Sequence, residues 1–172
     1  RMNLSTARVL LTGAAGGIGG AIAAELLGKG ATVLLVDVNE GALRRFVASE
    51  PKVSADRVEV FAANLTCADD RVRLAEFART WRGGINVLIN NAGMTSAERF
   101  DVRSVESIEL ELTVNLYSPL MVTRLAVPLL RAAPDPRVVT TVSLGGIFPL
   151  GETPIYTASK FGLRGAMLAI AL

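Results

Sequence analysis

A chain of 172 residues is long enough for one domain, able to bury roughly 70% of the surface its unfolded form would expose. Hydrophobic residues make up 51% and charged residues 20%, yet no apolar run approaches the ~20 residues of a bilayer span, so no membrane-spanning segment is expected. The lack of histidine excludes Ser-His-Asp hydrolysis and zinc proteases, the single Cys67 excludes an internal disulfide, and a net charge of +2 from scattered Lys and Arg gives no patch for nucleic acid.

The opening residues, Arg1-Met2-Asn3-Leu4-Ser5-Thr6-Ala7-Arg8, hold no apolar stretch of the secretory kind, so a cytoplasmic location is the expectation. Five short β-branched runs follow, at 9–12, 32–38, 58–65, 87–90 and 138–143. Most lack alternating polar residues, which predicts strands buried on both faces, as in a parallel sheet. After the first run, Ile18, Ile22 and Leu26 recur at i, i+4 and i+8, and Gly28 and Gly30 close that helix. Further helices are predicted over 40–48, 69–81, 105–132 and 155–172, with Ala133-Pro134-Asp135-Pro136 as a helix stop. The alternation gives a single α/β domain over 1–172, a Rossmann-like doubly wound parallel sheet with right-handed crossovers.

The first strand runs into Thr12-Gly13-Ala14-Ala15-Gly16-Gly17-Ile18-Gly19. Between a strand and a helix, such glycines permit a tight turn, a close approach of backbone N–H groups to a pyrophosphate, and close helix packing. Asp37 ends the second strand, where a carboxylate accepts from an adenosine ribose diol and repels a 2′-phosphate. Gly16 and Val38 stand where a basic residue would favour that phosphate, so NAD is the expected cofactor. Near the end, Tyr156 and Lys160 lie four apart, on one face of a helix, able to meet one bound molecule.

These features together resemble the short-chain dehydrogenase/reductase family, over essentially the whole chain. Thr12 to Gly19 matches its TGxxxGxG turn, Asn90-Asn91-Ala92-Gly93 its NNAG signature, and Asn115 its helical Asn. Ser143 precedes Tyr156 by the family's usual interval, and Tyr156-x-x-x-Lys160 completes the set. The resemblance implies the sheet order 3-2-1-4-5 and hydride transfer between a nicotinamide and a secondary alcohol or its ketone. In it Tyr156 is general acid and base, Lys160 favours its phenolate and holds the nicotinamide ribose, Ser143 binds the substrate oxygen, and Asn115 holds a water leading from Lys160 to solvent. The cofactor-binding set is Gly13, Gly16, Gly17, Ile18, Gly19, Asp37, Asn64, Leu65, Asn91, Ala92 and Gly93, together with Tyr156 and Lys160. Asn91 and Gly93 shape the groove; Asn64 stands where the family has Asp and is expected to accept from the adenine amino group through its carboxamide oxygen.

One departure is expected to matter. The family adds further strands and a substrate-covering segment after the Tyr-Lys helix, whereas here Leu172 falls within that helix without a stop signal. A shortened chain, with the fifth strand left as an apolar edge, is therefore expected, along with a homo-oligomer, dimer or tetramer, in the longer form. A cofactor-binding scaffold or sensor without turnover is the alternative reading.

Overall fold

The computed structural model describes residues 2–51 and 53–170. Five strands, β1 (Arg8–Thr12), β2 (Thr32–Asp37), β3 (Val58–Ala62), β4 (Val87–Asn90) and β5 (Arg137–Thr140), form one parallel sheet in the order β3-β2-β1-β4-β5. Among the described residues six α-helices connect or follow them: α1 (Gly17–Gly28), α2 (Glu40–Ser49), α3 (Ala68–Thr80), α4 (Val105–Leu112), α5 (Ser118–Arg131) and α6 (Pro154–Ile170). The expected fold class and strand order are both present. Among the described residues, no helix is long and apolar enough to cross a membrane.

Strands without polar alternation have core on both sides, and that is how the central three are used. Val9, Leu11, Val33, Leu35, Val87 and Ile89 face a layer containing Ala23 and Leu27 of α1 and Leu43 of α2. Leu10, Leu34, Val36 and Leu88 face the opposite layer, which holds Leu74 and Ala78 of α3 and Val122, Ala126 and Leu130 of α5. The register aligns Leu11 with Leu35 on one side and Ile89 on the other. β5, in contrast, is an edge: Val138 and Val139 are 44% and 50% exposed, so the expected two-sided burial fails there.

Several boundaries shift. β3 and β5 stop three residues before the ends of their apolar runs, because Asn64 and Ser143 open turns with their side chains. α1 buries Gly19, Ala23 and Leu27, one position round from the expected stripe, while Ile18 is 65% exposed. The reason is the close seat of Gly19 on the turn before it. The helix expected over 105–132 is interrupted by a π-turn at Thr113–Tyr117, closed by the Ser118 N–H donating to the Thr113 carbonyl. α6 reaches Ile170, and the last two residues of the expected helix lie outside the described residues.

Candidate active site

In a parallel sheet the carboxyl ends of the strands open a crevice where the strand order reverses, here between β1 and β4. The turn leaving β1 crosses this crevice with little clearance. Gly13 has φ +67°, and a Cβ on it would lie 2.6 Å from Ala92 Cα; a Cβ on Gly19 would lie 2.0 Å from the Gly13 carbonyl oxygen. Only glycine fits either position, and the result is an α1 N-terminus held against the end of β4. No side chain caps that helix, so its first N–H groups face the groove without an intrahelical acceptor.

Thr12 and Asn91 stitch the strand ends together. The Thr12 hydroxyl accepts from the N–H groups of Asn91 and Ala92 at 3.0 and 3.2 Å. The Asn91 amide donates to the carbonyls of Thr12 and Gly13, and its oxygen accepts from the Thr141 hydroxyl just beyond β5. Three parallel segments are thereby locked in register below the groove.

The groove measures about 500 Å³. Gly13, Gly16, Gly17, Ile18, Gly19 and Asp37 line one end; Ser143, Tyr156 and Lys160 line the other; Asn91, Gly93 and Met94 lie between. A side cavity of about 260 Å³ shares Gly13, Asp37 and Gly93 and continues over Val38, Asn64, Leu65 and Ala92. All the residues named from the sequence except Asn115 therefore line one continuous surface. Asp37 is pinned in place, its two oxygens accepting from the N–H groups of Ala15 and Asn39 at 3.1 and 3.0 Å.

At the catalytic end, α6 brings Tyr156 and Lys160 to one face. The Lys160 ammonium lies 5.7 Å from the centre of the Tyr156 ring and donates to the Thr141 carbonyl at 3.2 Å. The residue is 4% exposed, and that burial pushes its pKa below the ordinary 10.5. The Ser143 hydroxyl oxygen accepts from the Gly145 N–H at 3.1 Å, which leaves its proton available to an oxygen in the groove. Among the described residues no cluster of His, Cys, Asp or Glu could hold a metal ion.

A family model described as short chain dehydrogenase matches residues 7–172. The chain belongs to the short chain dehydrogenase family. Nodulation protein G of Rhizobium sp. (strain N33) is 34% identical over 98% of this chain and 67% of its own. A short chain dehydrogenase/reductase from Burkholderia phymatum, solved in complex with NAD, superposes with a TM-score of 0.91 at 25% identity, over 99% of this chain and 60% of its own. A metagenomic short-chain oxidoreductase in complex with NADP gives a TM-score of 0.90 at 30% identity, over 99% and 77%. The chain thus spans about two thirds of the length of such relatives.

In this short chain dehydrogenase family member the side chains of Asn115 and Asn64 are both engaged within the protein. Asn115, fully buried in the π-turn, accepts from the Met94 N–H at 2.8 Å and donates to the Met94 carbonyl at 2.7 Å and the Ser159 hydroxyl at 3.2 Å. Its carboxamide is a clamp on the segment after β4. The Asn64 oxygen already accepts from the N–H and the hydroxyl of Thr66, at 3.0 and 2.8 Å. That turn uses the acceptor expected for the adenine amino group and leaves the Asn64 amide protons as donors. The hydroxyls of Thr12, which opens the glycine turn, and Thr141 tie the strand ends, a role that the turn pattern does not mark for Thr12 and that no pattern marks for Thr141.

Proposed function

We propose that the chain is the cofactor-binding and catalytic part of an NAD-dependent oxidoreductase acting on a secondary alcohol or its ketone. The observation that carries this reading is the joining of a glycine cradle, a pinned acidic residue and the Ser143, Tyr156, Lys160 group along one groove. The cradle fits a dinucleotide, since the positions where a Cβ would intrude are glycines and uncapped N–H groups stand ready for a pyrophosphate. Nicotinamide, when bound, supplies the hydride acceptor or donor.

The residues of the chain then handle the proton. Ser143 donates to the carbonyl or alcohol oxygen and fixes it beside Tyr156. The Tyr156 hydroxyl gives its proton to the alkoxide oxygen during reduction and recovers it during oxidation. Lys160, held by the Thr141 carbonyl, places its ammonium 5.7 Å from the centre of that ring, at the end of the groove where the proton moves. Asn115 keeps Met94, and with it the floor of the groove, in place.

Asp37 sets the cofactor preference. Gly16 and Val38 stand beside it, among the described residues no basic side chain lines the groove at that end, and the phosphate would meet a carboxylate. NAD should bind at least tenfold more tightly than NADP, about 1.4 kcal/mol. Calorimetric titration with both cofactors tests this, and equal affinity or a preference for NADP removes the assignment. A cytoplasmic oligomer is part of the proposal, to be tested by fractionation and sedimentation.

A further inference from the structure

The buried face of α3 carries Leu74 and Ala78, and one turn towards the helix start the same stripe continues into Arg71. A residue 7% exposed at that position would ordinarily be apolar; a guanidinium there must find acceptors or carry a desolvation cost. Among the described residues no carboxylate pairs with it. Its Nη1 donates to the Leu65 carbonyl at 2.7 Å, and its guanidinium carbon lies 5.4 Å from the centre of the Tyr117 ring. Ser118, beside Tyr117, donates its hydroxyl to the same Leu65 carbonyl at 2.8 Å. One carbonyl is thus held from two helices, α3 and α5, while the neighbouring Asn64 N–H is held by Asp70 at 2.8 Å.

Leu65 and Asn64 line the side cavity that opens from Asp37. The geometry points to Arg71, with Ser118, as a positioning residue for the adenine end of the cofactor site: it fixes the Asn64–Leu65 turn so that the cavity keeps its shape without bound nucleotide. Rigid placement of a binding turn raises affinity by removing the ordering cost on binding. A charged, fan-shaped donor does this where an alkyl side chain could not, because the carbonyl it holds is backbone and accepts the Ser118 bond as well. Tyr117 closes the arrangement, its ring face meeting the guanidinium. Since Tyr117 and Asn115 belong to one π-turn, the turn that clamps Met94 also supports the adenine cavity.

This inference rests on the dinucleotide reading, and the experiment separates the two. ADP-ribose carries the adenine end and nicotinamide mononucleotide does not. Dissociation constants for both would be measured on the wild type, Arg71→Met, Arg71→Lys and Ser118→Ala, with urea midpoints alongside. Arg71→Met is expected to weaken ADP-ribose about tenfold and leave the mononucleotide within about twofold; Arg71→Lys should recover part of the loss. Ser118→Ala, which keeps Arg71, should weaken ADP-ribose about two- to threefold, and it decides the matter if Arg71→Met fails to fold. Unchanged ADP-ribose binding in folded variants overturns the positioning role while the dinucleotide reading stands. Parallel loss of both ligands also overturns it, as the mark of a general structural defect. A wild type that binds neither ligand overturns the dinucleotide reading and this inference with it.

Discussion

Tyr156 and Lys160 are four residues apart in sequence and meet in one groove, so the pair was legible from helical geometry once a helix was assigned. Tyr156→Phe keeps the ring and removes only the exchangeable proton. Turnover should fall at least ~10²-fold, with NAD affinity little changed, measured by cofactor absorbance and by titration. Near-normal turnover would assign the proton to another group. Lys160 carries a second prediction. Burial lowers its folded-state pKa below 10.5, so between that lowered value and 10.5 the unfolded chain binds more protons than the folded one. Stability from this group therefore rises with pH across that window and is flat below it. Lys160→Met lacks the titration, so urea unfolding should show the wild type gaining on the variant as pH approaches 10.5. A constant difference from neutral pH upward would mean that the lysine is not desolvated. What the sequence hid at this scale is partner choice. The carboxamides of Asn64 and Asn115 could each accept from ligand or protein, and only the folded surroundings show that Thr66 and Met94 occupy them.

The strand and helix runs were readable because apolar content without alternation and helical period are local properties, whereas the interruption at Thr113–Tyr117 was not. A π-turn adds one residue to a helical turn and has no residue signature, so 105–132 reads as one helix. Its consequence is a change of facing between α4 and α5 that brings Asn115 towards Met94 and Tyr117 towards Arg71. The start of α4 is fixed by a second feature the sequence concealed. Arg103, whose side chain is 3% exposed, pairs with the fully buried Glu111 and also donates to the Ser107 carbonyl at 2.8 Å. Nothing in the spacing of eight residues marks such a pair. Glu111→Ala leaves a buried guanidinium without its counter-charge and should cost about 3–5 kcal/mol in urea unfolding. Replacing both partners, as Arg103→Met with Glu111→Leu, should recover most of that loss. A cost below about 1 kcal/mol for Glu111→Ala would show that water reaches the guanidinium.

At the scale of the molecule, the sheet ends in two edge strands, β3 and β5, that differ in how far their side chains are covered. Neither edge is paired by a further described strand; β3 keeps Val58 buried and Val60 to Ala62 half-buried beside α2, whereas β5 presents Val138 and Val139 to solvent. Beside it an open groove of about 510 Å³ runs between β5 and α6, lined by Val138, Val142, Met167, Leu168 and Ile170. Leu168 and Ile170 are more than half exposed, at 55% and 56%. Apolar surface continuous with an unpaired strand is the arrangement that folded proteins pair or cover. That this edge would be apolar was legible from the run at 138–143; how much of it would be bare depended on where α6 settles, which follows from its seat against Gly146 and the π-turn. A chain of these 172 residues should therefore self-associate with rising concentration, and sedimentation velocity should show species above 18.1 kDa. Val139→Lys places a charge on the edge and should shift the distribution towards monomer without lowering the urea midpoint, because that side chain packs little in the monomer. A wild type that stays at 18.1 kDa across the whole concentration range, with Val139→Lys indistinguishable from it, would mean that the edge is protected by the twist and the small length of β5 alone.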